Sequence, residues 1–261
     1  LQDKFGTHLI SKDLINIKQG LAELDGTYET TRAGVALFHI LIEDNNGDGQ
    51  PVAKFFIKEE TIEAIAECLW VFSENNDVSA TKLTLTDKDC AEISALGRYL
   101  PSATHLLCPF HALTSVDFHL NKVNDGERVD IEKRHQIRKH FRTAIVYLTD
   151  GGTGSTATYF RDHWFNIETK WTHVGRRHLP TFGNNTTNRL ERFHHTIKDV
   201  LQKTQRLAEV LKNLVNIAKL RLSDRKLKQN IRDLRFATKS KHRLLKKFAE
   251  SVSPYAWRKM E

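Results

Sequence analysis

The stretch Leu83-Thr84-Leu85-Thr86-Asp87 reads as a short buried strand that closes on a carboxylate. With a side-chain period of two, Leu83, Leu85 and Asp87 share one face, so the acid continues an apolar row. A carboxylate in that place is costly unless it is paired or bound to a metal. Taken alone, Asp87 reads equally well as a turn or cap residue. Its neighbours must decide.

Asp89 and Glu92 have capping-box spacing, which predicts a helix from Asp89 to just before Pro101. Residues 104–108 read as another strand and 110–120 as a helix. Upstream, Ile62, Ile65, Leu69 and Phe72 mark one face of a helix over 61–73. Residues 35–43 and 52–57 are apolar, β-rich runs, and Asn46-Gly47 between them supplies the positive φ angles of a hairpin. The same loop fits half of a calcium motif, but the closing position is Phe55 and strands flank it, which excludes calcium binding there. Asp25, in Leu24-Asp25-Gly26-Thr27-Tyr28, is expected to end a further short strand. The order strand, strand, strand, helix, strand, helix, strand, helix is α/β, with an antiparallel hairpin feeding a mixed sheet.

Residues 131–148 read as helix. Gly151-Gly152-Thr153-Gly154-Ser155 is a flexible loop without the Gly-Lys-Ser/Thr ending of a phosphate-binding loop. Residues 187–248 read as helical, basic and free of proline. The 261 residues carry a net charge of +8, but residues 198–261 hold +12 and residues 1–197 hold −4. Such asymmetry attracts polyanions, nucleic acid first among them, although a set of solvated helical faces has the same composition. No apolar run could span a bilayer and no signal peptide opens the chain, which starts at Leu1 as a fragment would. Three cysteines without a CxxC predict neither a disulfide framework nor a cysteine zinc finger, and fit a reducing, intracellular compartment.

Glu191 lies in Asn188-Arg189-Leu190-Glu191-Arg192-Phe193-His194-His195-Thr196-Ile197-Lys198. At helical spacing Leu190, Phe193, Ile197 and Leu201 form a core stripe. Asn188, Glu191, His195 and Lys198 form a polar one beside it. That arrangement lets Glu191 reach over a sheet edge from an anchored helix. His194 and His195 point about 100° apart and cannot chelate together.

Together these segments resemble the Mutator-like branch of DDE transposases and, more closely, the RNase H-like domain of the transposon-derived SWIM-type zinc-finger proteins one and three. The resemblance runs through Asp25-Gly26-Thr27-Tyr28, the strand 51–60 with its Glu59-Glu60 end, Leu85-Thr86-Asp87-Lys88-Asp89 and Leu106-Leu107-Cys108-Pro109-Phe110-His111. It continues through residues 182–194 and Ser253-Pro254-Tyr255-Ala256. What it implies is an RNase H-like mixed sheet with an all-helical insertion and a helical, basic C-terminal extension. The implied divisions are a helical remnant at 1–20, the first part of the core at 21–111, the insertion at 112–186, the helix bearing the third acid at 187–203 and the basic extension at 204–261.

The resemblance further implies that Asp25, Asp87 and Glu191 are a catalytic acidic triad holding two Mg²⁺ or Mn²⁺ ions, hard cations that take oxygen ligands. Cys108 and His111 map onto a supporting C-x-x-H element. Two such ligands are too few for a structural zinc. Cys108 is expected to pack in the core, and His111 to be a satisfied core histidine, to orient a carboxylate or to meet phosphate. DNA is the implied partner, with Lys198, Lys203, Arg206 and Lys212 as its cationic contacts. Neither a membrane nor a small-molecule substrate is implied, a homo-oligomer is left open, and the location is nuclear. Two functions follow: metal-dependent cleavage or strand transfer of DNA, retained or vestigial, or a domesticated, non-catalytic module that binds DNA or protein. One departure stands out. The segment before Asp25 is shorter than in the family and places Glu23 on the face of Asp25, which predicts a first strand that is shortened or misaligned.

Overall fold

A computed structural model describes residues 21–28, 30–44, 46–87, 90–121, 130–143, 155–179, 181 and 183–235, with 243–244, 247, 252–253 and 255 beyond them. Five strands form one sheet in the order β3-β2-β1-β4-β5. They are β1 (Leu21–Thr27), β2 (Ala36–Glu43), β3 (Gly49–Ile57), β4 (Leu83–Thr86) and β5 (Thr104–Leu107). The first three pair antiparallel, and β4 and β5 add in parallel beside β1. This is the mixed α/β sheet expected of an RNase H-like fold.

The helices joining the parallel strands are α1 (Ile62–Asn75) and α2 (Cys90–Tyr99). Thr61 starts α1 as an N-cap, its hydroxyl accepting from the Ala64 N–H at 3.2 Å. Both helices cover one face of the sheet, where Leu24, Phe38 and Ile40 meet Ile65, Leu69 and Leu96. Alternation along β2 sends Leu37 and Leu41 to the opposite face. There they meet α8 (Asn188–Val200) and α9 (Leu207–Arg235) through Leu190, Phe193, Ile197, Val210 and Leu214. β2 is therefore buried on both faces, which explains why its apolar residues do not alternate with polar ones.

Between β5 and α8 stand α3 (Pro109–Asn121), α4 (Ile131–Thr143), α5 (Ser155–His163), a short 3-10 turn (Phe165–Ile167), α6 (Glu168–Trp171) and α7 (His173–Arg176). Trp164 and Trp171 anchor them in edge-to-face contact at 5.8 Å, and the Trp171 indole donates to the Trp164 carbonyl. Their cluster reaches the sheet through Leu107 and the apolar face of α3.

Two expectations are corrected. β1 is not shortened: it spans seven residues and pairs with β2 along most of that length. Asp25 consequently sits within the strand, because pairing runs on through Gly26 and Thr27. The helix bearing Glu191, expected over 187–203, ends at Val200, and a break separates it from α9. The break lets two helices lay their apolar rows on the same sheet face, which one straight rod could not do. The cap at Asp89, the helix over 11–18, the end of the helix past Thr143 and the glycine loop at 151–154 lie outside the described residues.

The hairpin loop behaves as its acids and glycine require. Gly47 takes a φ of +79°, and Asp44 Oδ1 accepts from the N–H groups of Asn46 and Asp48. Arginines of α9 meet it from outside: Arg225 at Asp44 (3.4 Å), Arg232 at Asp48 (2.7 Å) and Arg221 at the Gly49 carbonyl (2.8 Å). Among the described residues, no helix is long and apolar enough to cross a membrane.

Candidate acidic site at the edge of β1 and β4

Period-two alternation along β1 turns Leu21, Glu23 and Asp25 toward the α8 side. The parallel register pairs Leu21 with Leu83 and Glu23 with Leu85, so two residues further on Asp87 comes level with Asp25. Over this edge α8 brings Glu191. Its core stripe is buried as the periodicity predicts, whereas Glu191 is only partly covered.

The three acids feel one another. The Asp25 carboxyl is pushed up to about 7, first by burial and then by the negative charge of Asp87, with Glu191 adding to the repulsion. The Gly26 N–H, which donates to Asp25 Oδ1 at 2.7 Å, and the His111 imidazole pull the other way. His111, at the start of α3, lies 3.3 Å from Glu191 Oε1 and the same distance from the Thr187 hydroxyl. Its hydrogen bond with Cys108 raises it to about 9, assisted by the charges of Glu191 and Asp87. Cys108 is fully buried; burial pushes its thiol up, but hydrogen bonding with His111 and Thr187 outweighs this and leaves it lowered. Asp25, Asp87, Glu191 and the Cys108–His111 pair thus share one electrostatic neighbourhood. Lys198, Lys203, Arg206 and Lys212 are exposed, the first on α8, the next two on the turn after it and the last on α9.

Donor chemistry suits divalent magnesium or manganese: three carboxylates supply hard oxygen ligands, and their repulsion is what a cation relieves. Among the described residues, however, no group of three or more His, Cys, Asp or Glu already stands arranged to hold a metal ion.

Glu23 explains itself in three dimensions. It is fully buried, accepts from the Asn184 amide (2.9 Å) and from the Leu190 N–H (3.2 Å), and is raised to about 7 chiefly by burial. Leu190 is the third residue of α8, and the Thr187 side chain makes no capping hydrogen bond there. Glu23 therefore caps α8 from a neighbouring strand and fixes the height of Glu191 above the sheet. The charge that looked out of place in the sequence is a strut.

Two further contributors escaped the sequence reading. Arg176 is buried and donates to the carbonyls of Lys170, Asn185 and Leu107, tying the helical insertion to β5 and to the approach to α8. His39, opposite Asp25 in β2, and His194 on α8 form a buried pair. Burial keeps both well below the usual imidazole range, so both are neutral at pH 7. A histidine in an apolar strand carries no periodic signal. His194 was legible only as the residue beside the core stripe.

Gly26 has its own reason. A Cβ there would come within 2.6 Å of the buried Phe38 ring and 3.1 Å of Glu60. Gly26→Ala should therefore lower stability by about 1–2 kcal/mol through overpacking. The urea midpoint checks it; an unchanged midpoint would mean that Phe38 moves aside freely.

Residues 21–106 match the family model described as zinc finger SWIM domain-containing protein 1/3, RNaseH-like domain. No curated protein matches the chain.

Proposed function

From the RNaseH-like domain of zinc finger SWIM domain-containing protein 1/3 type at residues 21–106, we propose that this chain is a transposase-derived module acting on DNA through Asp25, Asp87 and Glu191. The observation that carries the reading is the strand register that brings Asp87 level with Asp25, with Glu191 near enough over the same edge for both to act on the Asp25 carboxyl. Asp25, Asp87 and Glu191 are the residues that would hold Mg²⁺ or Mn²⁺. Bound there, such a pair of ions supplies Lewis-acid stabilisation of the attacking and leaving oxygens of a phosphodiester. The chain's own groups prepare that chemistry. Glu23 and Arg176 hold the elements that carry the acids, and Gly26 holds one oxygen of Asp25. His111, cationic beside Glu191, balances charge in the metal-free state and is placed to meet a phosphate oxygen.

Mn²⁺ at millimolar concentration should raise the melting temperature of the wild-type chain, because an ion that binds only the folded state stabilises it. Asp87→Ala should abolish the rise. Without a wild-type shift, the acidic cluster is not a working metal site. A domesticated, non-catalytic module that binds DNA or protein in the nucleus is the second reading. The contact of His111 with Glu191 favours it, since the imidazolium already neutralises one acid.

DNA is the partner in the first reading. Arg221, Arg225 and Arg232 are engaged with the hairpin, so the exposed Lys198, Lys203, Arg206 and Lys212 are the proposed phosphate contacts. Binding should be sequence-tolerant, with log K falling by about 0.9 per neutralised phosphate for each unit of log salt. Replacing the four cations by glutamine should flatten that slope in a salt titration. An unchanged slope would move the contact surface elsewhere.

A further inference from the structure

His39 is fully buried in β2, on the face that Leu37 and Leu41 present to α8. Its Nδ1 lies 3.1 Å from His194 Nε2, while its own Nε2 is buried without a hydrogen-bond partner. His194, also buried, turns its Nδ1 toward Asp25, 3.8 Å from Oδ2. Asp25 uses its other oxygen on the Gly26 N–H. A line of polar atoms thus runs from the interior of the sheet to the Asp25 carboxylate, through residues that the proposed chemistry has not otherwise used.

A neutral imidazole has one donor and one acceptor nitrogen, so the line can run in only two directions. In one, His194 gives its Nε2 proton to His39. Its Nδ1 lone pair would then face a carboxylate oxygen, and the orphaned Nε2 of His39 would be a buried N–H. In the other, His39 donates from Nδ1 to His194 Nε2, and His194 directs its Nδ1–H at Asp25. The orphan is then a lone pair, and buried unpaired N–H groups are the rarer and costlier kind. The second direction removes both penalties. At 3.8 Å the last step is an alignment, longer than a hydrogen bond.

We propose that His194 is a positioning residue for Asp25, and that His39 is the buried anchor that fixes the His194 tautomer. This rests on reading Asp25 as a metal ligand. Its content is that the carboxylate is oriented from behind, leaving its remaining lone pairs toward the cleft. Outer-shell partners of this kind set the direction and basicity of a ligand.

Two measurements on the whole chain decide it. In the metal-free wild type at pH 8, where Asp25 is ionised, ¹⁵N-resolved NMR of the imidazoles should show the Nδ1–H tautomer at both His39 and His194, whereas free imidazole side chains favour Nε2–H. An Nε2–H tautomer at His194 overturns the proposal. For Mn²⁺ affinity, His194→Leu should lose about tenfold or more. His194→Gln, whose amide can donate to Asp25 and accept from His39, should recover most of it. A purely structural role would move the melting temperature of the two variants without separating their Mn²⁺ affinities, and that result also overturns the proposal. If the wild type binds no Mn²⁺ in an Asp87-dependent manner, the metal-site reading fails by itself, and the tautomers alone decide the relay. The tautomer readout needs no variant, so the question stays decidable where His194→Leu does not fold.

Discussion

Arg176→Ala should destabilise the protein by about 3 kcal/mol or more, because it strips partners from three backbone carbonyls at once. Arg176 Nε donates to the Lys170 carbonyl at 2.9 Å and Nη1 to that of Asn185 at 3.2 Å, while Nη2 reaches Leu107 and Lys170. The side chain is only 4% exposed, so water does not readily replace it. Each buried acceptor left unsatisfied costs about 1–3 kcal/mol. Lysine should not rescue the loss, since a single ammonium cannot copy a planar fork that serves three acceptors. The effect reaches the site, because Leu107 precedes Cys108 and Asn185 leads into Thr187 and α8. Urea unfolding should show a lower midpoint at constant slope. A loss under 1 kcal/mol would mean that the carbonyls find other partners, and that Arg176 is dispensable to the insertion.

A second large effect changes with pH. The Asp25 carboxyl titrates near 7 in the folded chain and near 3.8 as a free group, so between those values the folded state holds a proton that the unfolded state has lost. Stability contributed by this group is therefore highest at low pH and falls as pH rises from about 4 through 7. At about 1.4 kcal/mol per pKa unit, full ionisation costs up to about 4 kcal/mol. Asp25→Asn carries no such strain. In metal-free buffer it should be more stable than the wild type at pH 8 by about 2–4 kcal/mol, and the advantage should shrink as pH falls through 7 toward 4. Millimolar Mn²⁺ should reverse the order, stabilising only the wild type. An advantage independent of pH would point to packing, and no advantage at pH 8 would remove the repulsion from the account.

The comparison has to be made between variants, because other groups shape the profile of the whole protein. Glu23, raised to about 7, has the same sign as Asp25. His111, raised to about 9, adds stability that is complete below 6.5 and lost as pH climbs to 9. His39 and His194 work the other way: the unfolded chain protonates them first as pH falls below 6.5. Between about 4.5 and 6.5 the histidines oppose the acids, and the wild-type profile flattens there. Subtracting Asp25→Asn isolates one group.

Local periodicity was enough to place most of the sheet. Leu83, Leu85 and Asp87 fall on one face because strand side chains alternate, and Leu190, Phe193, Ile197 and Leu201 on another because helices repeat every 3.6 residues. Those rules involve only neighbours along the chain, so they are written in any stretch of a few residues. The ends of β1 were not legible. Strand ends depend on what pairs across. Glu23, Arg176, His39 and His194 belong to the same class. Each is buried and polar, and meets groups far away in sequence: Asn184 and Leu190 for Glu23, Leu107 and Asn185 for Arg176, and His194 for His39. A buried polar side chain is tolerated only once its partners arrive. The sequence determined the faces and the order of the elements by itself. Which charges could remain inside was decided by the tertiary structure, because hydrogen-bond partners are supplied by the assembled fold and not by the neighbouring residue.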